Sequence, residues 1–163
     1  MSRLDSFIRR LEAQRQCLGE AARLAADLPG IVLELGLGNG RTFDHLRTLC
    51  PDREIYVFDR QVAAHPDCIP APDRLFLGDF DATLPAALQR LGRGRAALVH
   101  VDLGSGDAAA SRALAAAIAP AVAELMASGA VLVSDQEMAA SGLGPLPVPP
   151  GVERGRYFMA VRA

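Results

Sequence analysis

The chain contains no lysine and no tryptophan; all seventeen basic residues are arginine, and aromatic residues make up only 5% of the sequence. Without lysine there is no P-loop residue to reach the phosphates of a nucleoside triphosphate and no Tyr-x-x-x-Lys pair for a nicotinamide-dependent oxidoreductase. Cysteine is scarce: Cys17, Cys50 and Cys68 are odd in number, widely spaced and form no Cys-x-x-Cys. They read as reduced, small apolar residues, so no zinc or iron–sulfur site is expected. A long hydrophobic run is also missing. The longest, 114–127, is interrupted by Pro120 and Glu124 and is too short to span a bilayer. The segment from Met1 to Arg10 carries charges throughout and offers no secretory core. Finally, no charge of one sign dominates: the net charge is −2. No basic field draws in nucleic acid or an anionic membrane. The expectation is a cytoplasmic protein with neither as a partner.

What is present is apolar and periodic. Half of the 163 residues are hydrophobic, enough for one domain with a sizeable core. Leu4, Phe7, Ile8, Leu11, Leu18, Ala22 and Ala25 recur at helical spacing, so residues 1–28 read as a helical segment, with Gly19 a candidate break. Over 29–163 strand and helix signals alternate. Strands are expected at 31–35, 55–59, 74–78, 96–102 and 130–135, and helices at 42–49, 84–91 and 108–128. The last helix should bend or divide at Pro120 and be capped by Gly129. A final strand at 156–162 should run antiparallel to the fifth. The fold class is therefore α/β: a Rossmann-like, doubly wound, mostly parallel sheet of about six strands. Two stretches break the alternation, 61–73 and the Pro/Gly-rich 141–155, and both read as irregular connections.

The most informative stretch is Ile31-Val-Leu-Glu-Leu-Gly-Leu-Gly-Asn-Gly40. An apolar strand with one acid runs into glycines at alternate positions and then into an amphipathic helix. Such a turn brings backbone N–H groups and a helix N-terminus close to a ligand. Nineteen residues past Gly40, the second strand ends in Asp59, where a carboxylate lies beside the ribose of a bound nucleoside. A dinucleotide fingerprint requires G-x-G-x-x-G, but the third position here is Arg41, which argues against NAD.

On Glu34-Leu-Gly-Leu-Gly-Asn-Gly40, on Asp59, and on Gly78-Asp79-Phe80 ending the third strand, the chain resembles the class I S-adenosylmethionine-dependent methyltransferases. It looks closest to a short bacterial subgroup without a separate substrate domain. The resemblance covers about residues 29–135. It implies S-adenosyl-L-methionine as cofactor, with Glu34 near the methionyl ammonium and the N–H groups from Gly38 to Thr42 near the methionyl carboxylate. It implies Asp59 on the ribose hydroxyls, Asp79 on the adenine amino group and the Phe80 N–H on a ring nitrogen. Gly36, Leu37, Asn39, Gly40, Arg60 and Asp102 complete the expected cofactor-binding set. Structural readings stand beside these: Glu34 as a cap or ion-pair partner, Asp59–Arg60 as a surface ion pair, Asp79 as a helix cap, and Phe43 and Phe80 as core.

The acceptor should lie beyond the carboxyl ends of the fourth and fifth strands, near Asp102 and the sequence Ser134-Asp135-Gln136. No Asp/Asn-Pro-Pro-aromatic run follows the fourth strand, and no cysteine stands where cytosine-C5 enzymes place one. A small-molecule acceptor is therefore expected, oxygen slightly favoured, with Asp102 the candidate catalytic residue. Asp102, Asp135 and Gln136 also fall where catechol-type, metal-dependent O-methyltransferases place Asp, Asp and Asn, an alternative hard-cation site. Gln136 departs from that pattern, and the family's general-base lysine has no counterpart. His100, inside a strand, reads as a core residue, and nothing assigns work to His45 or His65. With so little chain to enclose the acceptor, a homodimer is expected. The other readings are a non-catalytic module that binds S-adenosylmethionine or its demethylated product and, more remotely, an NAD-dependent oxidoreductase.

Overall fold

Ser2 and Asp5 start the first helix by satisfying two of its orphan donors. Ser2 Oγ accepts from the Asp5 N–H at 3.0 Å, and Asp5 Oδ2 accepts from the Ser2 N–H at 2.9 Å. The computed structural model describes residues 2–163. Helix α1 (Arg3–Leu24) buries the row Ala13, Gln14, Cys17, Leu18 and Ala21. It runs unbroken through Gly19, because one glycine weakens a helix by only about 1 kcal/mol and the buried row continues on both sides of it.

The strands are β1 (Ile31–Leu35), β2 (Ile55–Asp59), β3 (Leu75–Leu77), β4 (Ala96–Val101), β5 (Met126–Ser134), β6 (Leu143–Leu146) and β7 (Phe158–Arg162). Between them lie α2 (Arg41–Leu49), α3 (Phe80–Leu91) and α4 (Ala108–Leu125). The sheet order is β3-β2-β1-β4-β5-β7-β6. The pairs among β1 to β5 are parallel, and β7 is antiparallel to both neighbours. The order reverses between β1 and β4, which creates a crevice at their carboxyl ends. Side chains alternate between two cores. Leu33, Leu35, Tyr56 and Phe58 join α3 and α4 on one face, while Val32, Val57, Leu98 and Val133 join α1 and α2 on the other.

The structure departs from expectation in four places. The sheet has seven strands rather than about six, because β6 forms within the Pro/Gly-rich stretch. It is an edge strand, where Pro145 sacrifices no ladder bond on its open side. As expected, no helix joins β5 to the last strands; residues 135–142 cross without one, and Met138 and Ala140 pack into the α3–α4 core. Helix α4 ends at Leu125, not at 128, and continues through Pro120 as a single helix. Strand β5 then starts at Met126 with a register shift, so Gly129 (φ +82°) lies in an irregular strand segment instead of capping a helix. Helix α3 starts at Phe80, four residues before the expected position. By length and composition alone α4 could cross a bilayer; here Ala115, Ile118, Ala119 and Val122 form part of the core.

Candidate active site

The glycine loop after β1 is shaped by close approach. A Cβ on Gly36 (φ +96°) would stand 2.2 Å from the Asp102 carbonyl oxygen, and one on Gly40 (φ +86°) would stand 2.4 Å from Cys68 Cβ. Only glycine allows β1 to turn this tightly against the end of β4 and against the 61–73 connection. A Cβ on Gly38 would meet nothing within 4 Å, so the middle of the loop faces open space. Asn39 Oδ1 accepts from the Arg41 N–H at 3.2 Å. The remaining first-turn N–H groups of α2, at Thr42 and Phe43, are donors that a helix cannot satisfy internally.

Asp59 is bound to this loop directly. Its Oδ2 accepts from the N–H groups of Leu37 (2.9 Å) and Gly38 (3.1 Å), and its Oδ1 accepts from Gln61 N–H (3.2 Å). The surface ion pair with Arg60 does not form; Arg60 instead lies 3.9 Å from Asp79. Asp79 occupies the N-cap position of α3, but its side chain makes no capping bond, and its carboxylate is exposed. Phe80 is the first helical residue and packs against the α3–α4 core. Phe43 is buried in the other core.

Glu34 is fully enclosed, so it does not line the open space. One of its oxygens accepts from the Thr42 hydroxyl, and the other lies 2.6 Å from His100 Nδ1. His100, also fully buried, reaches the Tyr157 hydroxyl at 3.1 Å through Nε2. The Gln14 amide nitrogen donates to Tyr157 Oη at 2.6 Å and to Asp102 Oδ2 at 3.1 Å. The environment holds the His100 imidazole above its usual value: burial opposes the charge, but the Glu34 carboxylate, with Asp102 and Asp135 behind it, outweighs burial. Burial pushes the Tyr157 phenol up, which keeps it neutral.

At the carboxyl ends of β4 and β5, Asp102 and Asp135 converge on Arg10 of α1, whose guanidinium lies 2.7 Å from Asp102 Oδ1 and 3.9 Å from Asp135 Oδ2. Asp135 Oδ1 also accepts from the Leu103 N–H at 2.9 Å, fastening the loop after β4. Burial, with Asp102 nearby, raises the Asp135 carboxyl. The two carboxylates of the alternative metal set do meet, but the cation between them is Arg10. The Gln136 amide nitrogen is turned toward Asp135 Oδ2 at 3.3 Å. Among the described residues no group of three His, Cys, Asp or Glu side chains is arranged to hold a metal ion.

Sequence reasoning missed Arg10, Gln14 and Tyr157. The one available signal was Gln14, a polar residue in line with Cys17, Leu18 and Ala21 on the buried face of α1. Arg10 lies one turn before it on that face.

Residues 1–162 match the S-adenosyl-L-methionine methyltransferase family. The crystal structure of an S-adenosyl-L-methionine methyltransferase from Silicibacter pomeroyi DSS-3 is 48% identical, with 99% of each chain covered and a TM-score of 0.94. The antibiotic-resistance methyltransferase Kmr superposes with a TM-score of 0.54 at 11% identity, over 90% of this chain and 93% of that one. The sugar N-methyltransferase KedS8 from Streptoalloteichus sp ATCC 53650 gives 0.53 at 22% identity, over 91% of this chain and 61% of that one. At such identities the last two likenesses show a common fold alone. No curated protein sequence matches the chain. The family match displaces both the NAD-dependent and the non-catalytic alternatives. With its glycine loop, its switch-point crevice and a full-length relative at 48% identity, the chain belongs to the S-adenosyl-L-methionine methyltransferase family and uses S-adenosyl-L-methionine as its methyl donor.

Proposed function

We propose that the enzyme methylates an oxygen of a small molecule held beyond the carboxyl ends of β4 and β5, with Asp102 orienting and deprotonating the acceptor. The observation that carries this reading is a cavity of about 890 Å³ bounded by Ser134 at the end of β5, by Gln136, Glu137 and Met138 after it, and by Val148 and Tyr157 from the opposite side; Asp102 does not line it but is tied to its Tyr157 wall through Gln14, which donates to both. That volume falls within the ~300–1,000 Å³ of small-ligand sites. The net charge of −2 favours no polyanionic substrate.

The residues present suit the donor. The open face at Gly38 and the first turn of α2 at Thr42 offer N–H groups to a carboxylate, with Gly36, Leu37, Asn39 and Gly40 shaping the approach. Asp59 keeps lone pairs for ribose hydroxyls beyond those it spends on the loop. The exposed Asp79 carboxylate can accept from an adenine amino group, with the Phe80 N–H beside it and Arg60 at its edge. Glu34 acts through Thr42. When bound, S-adenosylmethionine supplies a methyl group on a positively charged sulfur. The acceptor oxygen takes that methyl in line, the S–C bond breaks with its electron pair going to sulfur, and the hydroxyl proton passes to Asp102.

The test is S-adenosylhomocysteine formation with panels of small hydroxyl compounds, small amines and structured RNA. Methyl ether formation from a hydroxyl compound is the expected result, with Asp102→Asn lowering turnover by about 10²-fold or more. Turnover on RNA alone would overturn the reading.

A further inference from the structure

The hydrogen-bond chain that starts at Glu34 does not end at the cofactor loop. Its middle members, Gln14, Glu34, His100 and Tyr157, are buried, its ends at Thr42 and Asp102 are half-buried, and together they come from five elements or their flanks. Gln14 has two amide hydrogens, which go to Tyr157 Oη (2.6 Å) and Asp102 Oδ2 (3.1 Å). The His100 Nε2 at 3.4 Å from the same nitrogen is therefore left to the Tyr157 hydroxyl, 3.1 Å away. Against a Glu34 carboxylate, which can only accept, the His100 ring nitrogen 2.6 Å away is the donor, Nδ1–H. Glu34 in turn accepts from the Thr42 hydroxyl in the first turn of α2. Glu34 and His100 are both 0% exposed, so no water replaces a lost donor cheaply.

We propose that His100 is a positioning residue for the methyl donor. By donating Nδ1–H to Glu34 it fixes Thr42 and the first turn of α2, and through Tyr157 and Gln14 it ties that turn to Asp102 at the acceptor edge. One Glu34 oxygen holds the helix end through Thr42, and His100 supplies the donor that its other oxygen accepts. The far end of the chain registers α1 against β4, so the donor and acceptor halves of the crevice share one ordered set of bonds. The inference rests on the assignment of the glycine loop and α2 as the donor site.

The test uses the full-length enzyme, S-adenosylhomocysteine as the titrant in calorimetry, and three substitutions. An asparagine amide can stand where Nδ1 stands, whereas a glutamine amide reaches the Nε2 position. His100→Asn is expected to keep the affinity within about threefold, while His100→Gln and His100→Leu weaken it by about tenfold or more, as expected for a buried carboxylate that loses its donor. A role in packing alone would not separate Asn from Gln, so equal losses, or rescue by Gln, overturn the proposal. Because a variant that fails to fold gives no affinity, a measurement on the unmodified enzyme stands beside them. The imidazole ¹⁵N spectrum should show Nδ1 protonated, with a shift that moves when S-adenosylhomocysteine binds; a bare Nδ1, or no movement, overturns the proposal as well. If the unmodified enzyme does not bind S-adenosylhomocysteine, the donor-site assignment itself falls. If it binds and the Asn and Gln variants do not differ, only the role of His100 falls.

Discussion

At Gly36 one added carbon would collide with the backbone of the neighbouring strand, 2.2 Å from the Asp102 oxygen, whereas at Gly38 it would meet nothing. The two glycines therefore predict different outcomes. Gly36→Ala should lower stability by roughly 1–3 kcal/mol or more and abolish S-adenosylhomocysteine binding. Gly38→Ala should cost only ~1–2 kcal/mol, for its left-handed φ, and fold like the unmodified protein. Thermal melts and calorimetry separate the two. Asp59→Ala should weaken S-adenosylhomocysteine binding by ~1.5–3 kcal/mol, because the carboxylate orders the Leu37 and Gly38 amides and, in the proposed site, accepts from the ribose. Unchanged affinity would refute its place in the site. His100 carries a pH dependence. Its folded value lies above the ordinary 6.5, so its contribution to stability is complete below that pH and is lost as pH rises through the folded value. The groups facing it are Glu34, Asp102, Asp135, Tyr157 and Gln14. The difference in melting temperature between the unmodified protein and His100→Asn should be widest below pH 6.5 and narrow as the pH rises above it. A gap that widens with pH would contradict the linkage. The glycine turn after β1 and the acid ending β2 were legible from spacing alone. The link from His100 to α1 was not, because no local pattern reports a contact between residues 14 and 157.

Among the elements, β1 and β2 matched their expected bounds because a buried parallel strand writes a continuous apolar run between turn signals. Boundaries failed where local signals conflicted. The helical pattern of α4 runs on through Leu125-Met-Ala-Ser128 with no stop signal before Gly129, and the pairing of Met126 with Ala96 ended the helix early. Strand β6 was hidden because proline and glycine argue against strands, yet an edge position tolerates both. The crossover at 135–142 takes the place of a helix and depends on Met138, which is 7% exposed and packed in the main core. Met138→Ala should cost about 2–4 kcal/mol in urea unfolding. A loss under half a kilocalorie would mean that the crossover contributes little to that face.

For the molecule as a whole, Arg10 sits between the two carboxylates that a divalent cation would use. Chelation by EDTA is accordingly expected to leave turnover unchanged, and restoration of activity by Mg²⁺ after chelation would overturn that. The homodimer expected from the short, open acceptor side predicts a two-chain mass in sedimentation at micromolar concentration; a single-chain mass would count against it. The alternation of strands and helices, a nucleoside ligand and the position of the crevice followed from the chain alone, because periodicity and the glycine–acid spacing are local and each element writes its own pattern; the donor itself was implied by the family resemblance. Which polar groups meet inside was decided only by the fold. Glu34, His100, Tyr157, Gln14 and Asp102 come from elements far apart in sequence, and their union depends on how α1 lies across β4 and where β7 enters the sheet. Those long-range packings leave no periodic trace in any one segment.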